Sequence, residues 1–299
     1  MKYKKLIDLQ IFAGHELQER YSNMVLAKVR KTAIFLSLFN RRYEGTPTSG
    51  AVKIPVRDTE VAVANYDKVK GGDLTTSATS YKTLPIDRDK YVNELIDGYE
   101  ASAVPDNLVA DRLDSAGYSM GISLDSELIS LLADGGTVSE NTSKLTKTSI
   151  YDSIVDEVAA LKKKGLKPTE LWLAVTNETY ALLLKSPEFI KASALGDTVV
   201  QNGLVGRIAG LDVYETNNIP DESGVEYIIG NRIFCHFVDE WKTPVTVNDL
   251  KDGKHIGSSA VQGRRVYGHM LSRPETVTIK KNTAAQTQTS GSEEVPGKE

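Results

Sequence analysis

Between residues 105 and 134 the chain carries one uninterrupted helical stripe. Val109, Leu113, Ala116, Met120, Leu124, Leu128 and Leu131 follow one another at steps of four, three, four, four, four and three, the spacing that lines one face of an α-helix. Pro105 suits a first helical turn, Asp106 complements the helix dipole, and Gly135-Gly136 ends the pattern. At 1.5 Å per residue, about 28 residues make a rod of roughly 42 Å, well beyond the usual globular helix of about three turns. The rest of the chain must pack around this rod, and any motif inside it has to be read as helix.

One motif does fall inside it. Gly117-Tyr118-Ser119-Met120-Gly121 matches G-x-S-x-G, the pattern of a hydrolase nucleophile. That chemistry needs a strand, a sharp strained turn and then a helix, so that the serine stands clear of the sheet. Here the stripe runs straight through, so Ser119 is expected on a continuous helix and not as a nucleophile. Gly117 and Gly121 are expected to let another backbone approach the rod. "HELQE" at 15–19 resembles the H-E-x-x-H zinc motif but has Glu19 where the second histidine belongs. "DRD" at 87–89 sits in an alternating strand beside Arg88 and Lys90 and reads as paired surface charge. "GLVGRIAG" at 203–210 lacks both the P-loop lysine and the dinucleotide glycine spacing, and reads as a turn feeding a strand. The four histidines are scattered, and Cys235 is the only cysteine. That excludes an intrachain disulfide and a thiolate zinc cluster. No catalytic, cofactor-binding or metal-ligating residue is expected.

The 299 residues carry a formal net charge of −4, which argues against a dedicated nucleic-acid binder but not against a container for nucleic acid. The N-terminal apolar stretch is broken by Asp8 and Gln10, too short for a secretory core. The longest clean apolar run elsewhere, 33–39, falls far short of a membrane span. No membrane partner is expected, and the reading is of a soluble protein made in the cytosol.

Along the chain, residues 1–14 read as an extended arm, and Leu17, Tyr21, Met24, Leu26, Val29, Ala33 and Leu36 give a helical pattern from His15 to Phe39. Val52, Ile54, Val56, Val61 and Val63 alternate with polar neighbours. With the segment after 79 they predict a long β-hairpin tipped by "KVKGGDLTTSAT". Its apolar content is too thin for a core of its own. After a Ser/Thr/Asn-rich linker at 137–149, an α/β segment opens with Ser149 and Asp152 as a capping box and ends its first helix at Lys162–Lys164 and Gly165. "LWLAV" at 171–175 reads as a buried strand, "NETYALLLKS" as a capped helix, and the segments after 203 as strands. The last residues, 282–299, hold no core-forming residues and are expected to be disordered.

An arm, a helix, a hairpin that must lean on something else, one oversized helix and an α/β segment, with no active site, describe a building block. "IDLQIFAG", "FNRRYEGTPTSGAVKIPV", "LPIDRDKYVNELIDGYEA", "LWLAVTNETYALLLKSPEFI" and "GLVGRIAGLDVYETNNIP", in this order, resemble the major capsid protein family of tailed bacteriophages, whose fold is shared with encapsulin shells. The resemblance covers about residues 1–281. It implies an α+β phage capsid fold: an N-terminal arm (1–22), an N-terminal helix (23–42), an extended β-hairpin loop (43–90), a peripheral domain (91–148) with its spine helix at 105–134, an axial α/β domain (149–225) and strands returning to the peripheral domain (226–281). It further implies self-assembly into hexamers and pentamers of an icosahedral shell around double-stranded DNA that is bound without sequence specificity, with shell assembly in the host cytoplasm. A portal and a separate scaffolding protein follow as partners, because the chain starts directly at the arm, unless the residues are a shortened product. No cofactor is implied. The expected assembly contacts are Leu6, Ile7, Leu9, Ile11 and Phe12 on the arm, and Val52, Ile54, Val56, Val61, Val63, Lys68 and Lys70 on the hairpin.

Overall fold

The computed structural model describes residues 30–43, 50–56, 60–61, 63–69, 71–72, 74, 76, 79–103, 108–186, 204–251 and 253–282. Leu6, Ile7, Leu9, Ile11, Phe12, Lys70 and the tail from 283 on lie outside the described residues.

The described chain opens with a single helical turn, α1 (Phe35–Leu38), followed by β1 (Ala51–Val56), β2 (Ser80–Pro85), β3 (Arg88–Ile96) and α2 (Gly98–Ala103). The rod is α3 (Leu108–Gly135), 28 residues long, within three residues of the span its periodicity predicts. After it come β4 (Thr137–Val138), α4 (Ile150–Lys163), β5 (Leu171–Thr176), α5 (Asn177–Leu184), β6 (Leu204–Ile208), β7 (Leu211–Thr216), β8 (Val225–Asn231), β9 (Cys235–Asp249), β10 (Ser259–Leu271) and β11 (Thr278–Lys281).

Two sheets organise the body. A six-stranded mixed sheet runs in the order β4-β11-β8-β5-β7-β6. β5 is buried from Leu171 to Val175, as a continuous apolar run requires when both faces are covered. On one face lie Ile150, Ile154, Val158 and Leu161 of α4 and Leu183 of α5, packed on Leu171, Leu173, Val175, Val213 and Ile229. On the other face, Trp172, Ala174 and Ile228 meet α1 and the C-terminal half of α3 through Leu124, Leu128, Ile129 and Leu132. Each such side chain, fully withdrawn from water, stabilises the fold by about 1.5–3 kcal/mol. The second sheet has three antiparallel strands, β3-β10-β9. The N-terminal half of α3 lies across it, joining Ala116, Val109 and Leu113 to Ile96, Val261, Val245 and Val247. α3 therefore belongs to both cores. In β9, the outer strand of this sheet, Pro244 sits at a bulge opposite Gly263 of β10.

Several expectations are corrected by tertiary contacts. The predicted N-terminal helix survives, within 30–42, only at Phe35–Leu38. Residues 30–34 spend their backbone groups on tertiary partners: the Thr32 carbonyl accepts from Asn218 and the Phe35 N–H donates to Asp125. The hairpin is shorter than the sequence suggests. β1 and β2 pair from Ala51–Pro85 to Val56–Ser80, and beyond them the only pairing among the described residues is the Asp67–Gly71 bridge. β3, which holds 88–90, belongs to the three-stranded sheet. β8 and β11 do not leave the sheet built on β5: β8, buried except at Glu226, takes β5 and β11 as its neighbours, and only β9 and β10 join β3. Ser149 forms no capping bond to α4; its hydroxyl accepts from the Thr146 N–H at 3.0 Å instead. Thr176 does cap α5, accepting from the Thr179 N–H, and Gly165 follows α4 at φ +86°.

Candidate assembly surfaces

The hairpin divides into a root and a strap. At the root, Ile54, Val56 and Leu84 are buried, with Ile54 and Leu84 packed against Val238 of β9, while Val52, Ile86 and Met270 flank them half-buried. As free contact residues Ile54 and Val56 are thus corrected, because the pleat turns them inward and the subunit body covers them. Lys82 Nζ donates to the Ser272 carbonyl and the Ile86 N–H to the Gly50 carbonyl at 3.1 Å, fixing the root further. The strap is the opposite case. Val61, Val63, Tyr66, Val69 and Leu74 are each at least 70% exposed, and Lys68 lies among them, exposed. Five large apolar side chains stand in water on one segment, the kind of exposed patch that marks contact sites in other proteins.

A second feature holds residues 30–35 against the rod. The Arg30 guanidinium pairs with Asp114 of α3 and stacks over the Tyr118 ring, 4.9 Å from its centroid. The Lys31 N–H donates to the Tyr118 hydroxyl at 2.8 Å. One helix turn pair further on, the buried Asp125 carboxylate accepts from the Phe35 N–H at 2.8 Å and from Asn218 Nδ2 at 2.6 Å. Burial pushes the Asp125 carboxyl above its ordinary value, against the pull of these hydrogen bonds. Asp114, Tyr118 and Asp125 project from the rod where α-helical spacing groups them, so the rod serves as the dock for the incoming segment. Sequence reasoning missed all three. The available signal was Asp125 itself, a carboxylate inside the apolar C-terminal half of the stripe.

A third surface is the face of the three-stranded sheet turned away from α3. Asn93, Gln262 and Asn248 are linked across its strands by hydrogen bonds at 3.2 Å. Exposed Tyr91 and partly exposed Trp241 flank them, and Arg264 stacks on Trp241 while gripping Asp89 with both nitrogens, at 2.9 and 2.5 Å. The "DRD" reading as surface charge is realised in that pair.

Ser119 is exposed in the middle of α3, with no strand or turn before it. Gly117 and Gly121 border a groove with Thr243 and Pro244 of β9, but nothing lies within 4 Å of where a Cβ would stand on either. Their expected role in close backbone approach is corrected: the sheet contacts the rod through larger side chains beside them. Ser119→Ala is expected to leave assembly unchanged, to shift stability by no more than about 0.5 kcal/mol and to leave any ester hydrolysis untouched; thermal melting and an ester assay check it. Among the described residues no group of three or more histidine, cysteine, aspartate or glutamate side chains could hold a metal ion, and no helix is long and apolar enough to cross a membrane.

Compared by sequence with curated proteins, the chain finds no match. Its fold is similar to that of solved structures of phage particles. Mycobacterium phage Che8 gives a TM-score of 0.72 at 21% identity over 89% of this chain and 97% of that one. The capsid structure of cyanophage P-SCSP1u gives 0.72 at 13% identity over 89% and 92%, and the mature capsid of bacteriophage PhiM1 gives 0.68 at 16% over 89% and 91%. The family model described as phage capsid protein matches residues 98–279, the span that holds the rod, the strands from β4 to β10, and Asp114, Tyr118 and Asp125. By that match, the chain belongs to the phage capsid protein family.

Proposed function

We propose that this capsid protein assembles into hexamers and pentamers that close an icosahedral shell around double-stranded DNA, each subunit laying the strap at 60–79 across a neighbour. The exposed strap, Val61 to Leu74, is the single observation that carries this reading. It cannot bury its apolar residues within the subunit and gains burial only from another copy. Heterologous contacts of this kind close into rings, and many weak contacts made together hold a shell that no one of them would hold alone. The net charge of −4 suits a wall that encloses DNA without gripping it. The subunit itself is structural and performs no catalysis. In this reading a scaffolding protein and a portal are its assembly partners, assembly takes place in the host cytoplasm, and the mature protein resides in the virion.

Negative-stain microscopy of the purified full chain at high concentration tests the proposal. Closed particles of uniform diameter are expected, and particles isolated from infected cells should contain genome-length DNA. A protein cargo in place of DNA would instead make the shell a cellular compartment. A chain that stays monomeric at every concentration, alone and with a scaffolding protein, would remove the shell reading.

A further inference from the structure

His269 lies where the hairpin meets the body. β3 and β10 pair only as far as Arg88 and Tyr267, so His269 sits just past the last pair, beside the turn Ile86–Asp87 that joins β2 to β3. Between Tyr267 and His269 comes Gly268, where a Cβ would run into the Pro85 carbonyl. The root of the hairpin thus rests directly on β10, and a shift of His269 is felt there.

The imidazole is in an unusual position. Its side chain retains 8% of its accessible surface, and among the described residues neither ring nitrogen has a hydrogen-bond partner. Nε2 stands 3.8 Å from Glu127 Oε2, too far for a hydrogen bond. That oxygen already accepts from the Tyr267 hydroxyl at 2.6 Å, and the other holds Lys90 at 2.7 Å. Buried polar atoms without partners are rare and call for a reason. Beside the ring opens a recess of about 450 Å³, lined by Arg88, Glu127, Ser130, Leu131 and Asp134, with room for the ring to turn.

The charged groups around it come from every neighbouring element. α3 supplies Glu127 and Asp134, the turn supplies Asp87, β3 supplies Arg88 and, through Glu127, Lys90, and β10 supplies Tyr267. β9 places Phe237 opposite His269, while Arg265 and Asp239 are paired with each other.

We propose that His269 is a proton-sensitive pin at the root of the hairpin. Neutral, it stays buried and the turn Ile86–Asp87 stays seated on β10; protonated, it swings into the recess toward Asp134 and Glu127, and the hairpin becomes free to change its angle to the body. Burial, with Arg88 beside the ring, holds the imidazole below its ordinary value of 6.5. The released arrangement therefore binds more protons than the seated one below that value. The seated root keeps its full stability above about pH 6.5 and loses it progressively as the pH falls toward the depressed value. His236, hydrogen-bonded to Ser272 and pushed down to about 4 by burial, is untouched in the His269 variants, so its own contribution appears in them and is subtracted.

Hydrogen exchange of the Ile86 amide in the full chain, compared at about pH 7.5 and about pH 5.5 after correction for intrinsic rates, tests the pin. In the native chain, protection should fall by up to about tenfold, because pH 5.5 lies about one unit below the free imidazole value. In His269→Gln and His269→Phe, which cannot take up a proton, only the His236 contribution should remain. An equal loss in both variants, or no loss in the native chain, overturns the proposal. Should neither variant fold, an NMR titration of the native chain decides: the Ile86 amide must shift with the midpoint of the His269 ring, and a separate midpoint refutes it.

Discussion

Replacing residues 60–79 with a short Gly-Ser turn is expected to abolish closed shells and to leave the subunit folded. The strap residues Val61, Val63, Tyr66, Val69 and Leu74 are exposed and cover nothing among the described residues, so their removal should cost the monomer little burial. A change at such exposed positions is worth no more than about 0.5 kcal/mol, or roughly 1–2 °C in Tm for a domain of this size. The strands that carry the strap stay paired from Ala51–Pro85 to Val56–Ser80 and stay packed on Val238. Assembly has no such reserve, since every intersubunit strap contact is lost at once. Sedimentation and microscopy should find subunits or small oligomers only, beside an unaltered melting curve. Normal shells from this variant would show that the strap is not the clasp between subunits. A hairpin with so little packing of its own is marginal in water, so limited proteolysis near Lys68 should be fast in free subunits and slow in shells.

Asp125→Ala strikes at the opposite place, inside the monomer. The substitution strands two buried donors, the Phe35 N–H and Asn218 Nδ2. An unsatisfied buried donor costs about 1–3 kcal/mol, so a loss of roughly 2–6 kcal/mol is expected for the two, roughly 4–24 °C in Tm at about 2–4 °C per kcal/mol. Asp125→Asn should fall in between, because its carbonyl can accept from one donor while its NH2 group faces the other. Hydrogen exchange should show the loss concentrated at residues 30–39, where the chain depends on this carboxylate, with β5 and α4 still protected. Uniform destabilisation across both sheets would mean that the dock is an ordinary part of the core. Burial raises the carboxyl above its ordinary value, so the folded chain holds that proton more readily than the unfolded one. The dock should therefore gain stability as the pH falls through the raised value and lose it as the pH rises.

How much of this could be read from the sequence depends on how local each cause is. The rod, α4 and β5 are written in side-chain spacing over a few turns or a few residues, and their bounds come within a few residues of prediction. Strand partners are not written locally. Nothing in "AVKIPV" states that its ladder stops at Val56, and nothing in "VEYIIGN" reveals that it lies between β5 and β11 and not beside β9 and β10. The dock was hidden for the same reason: Asp125 and Asn218 are 93 positions apart and acquire meaning only when folding brings Phe35 between them. Alternation placed Ile54 and Val56 on one face correctly, but which body covers that face is tertiary information. The absence of an elbow at Ser119, by contrast, was legible, because helical periodicity on both sides of a motif is itself a local signal.

The bulge at Pro244 bears on a problem of quantity. A shell protein is synthesised in many copies within one cell, at concentrations where any bare strand edge invites open-ended stacking of chains. β9 is 15 residues long and borders its sheet, which makes it a natural template for such stacking. Pro244 contributes no N–H, and the displaced register opposite Gly263 twists the strand away from the flat geometry that a foreign strand needs. Both features work against growth through this edge, which favours contacts that close on themselves over fibres.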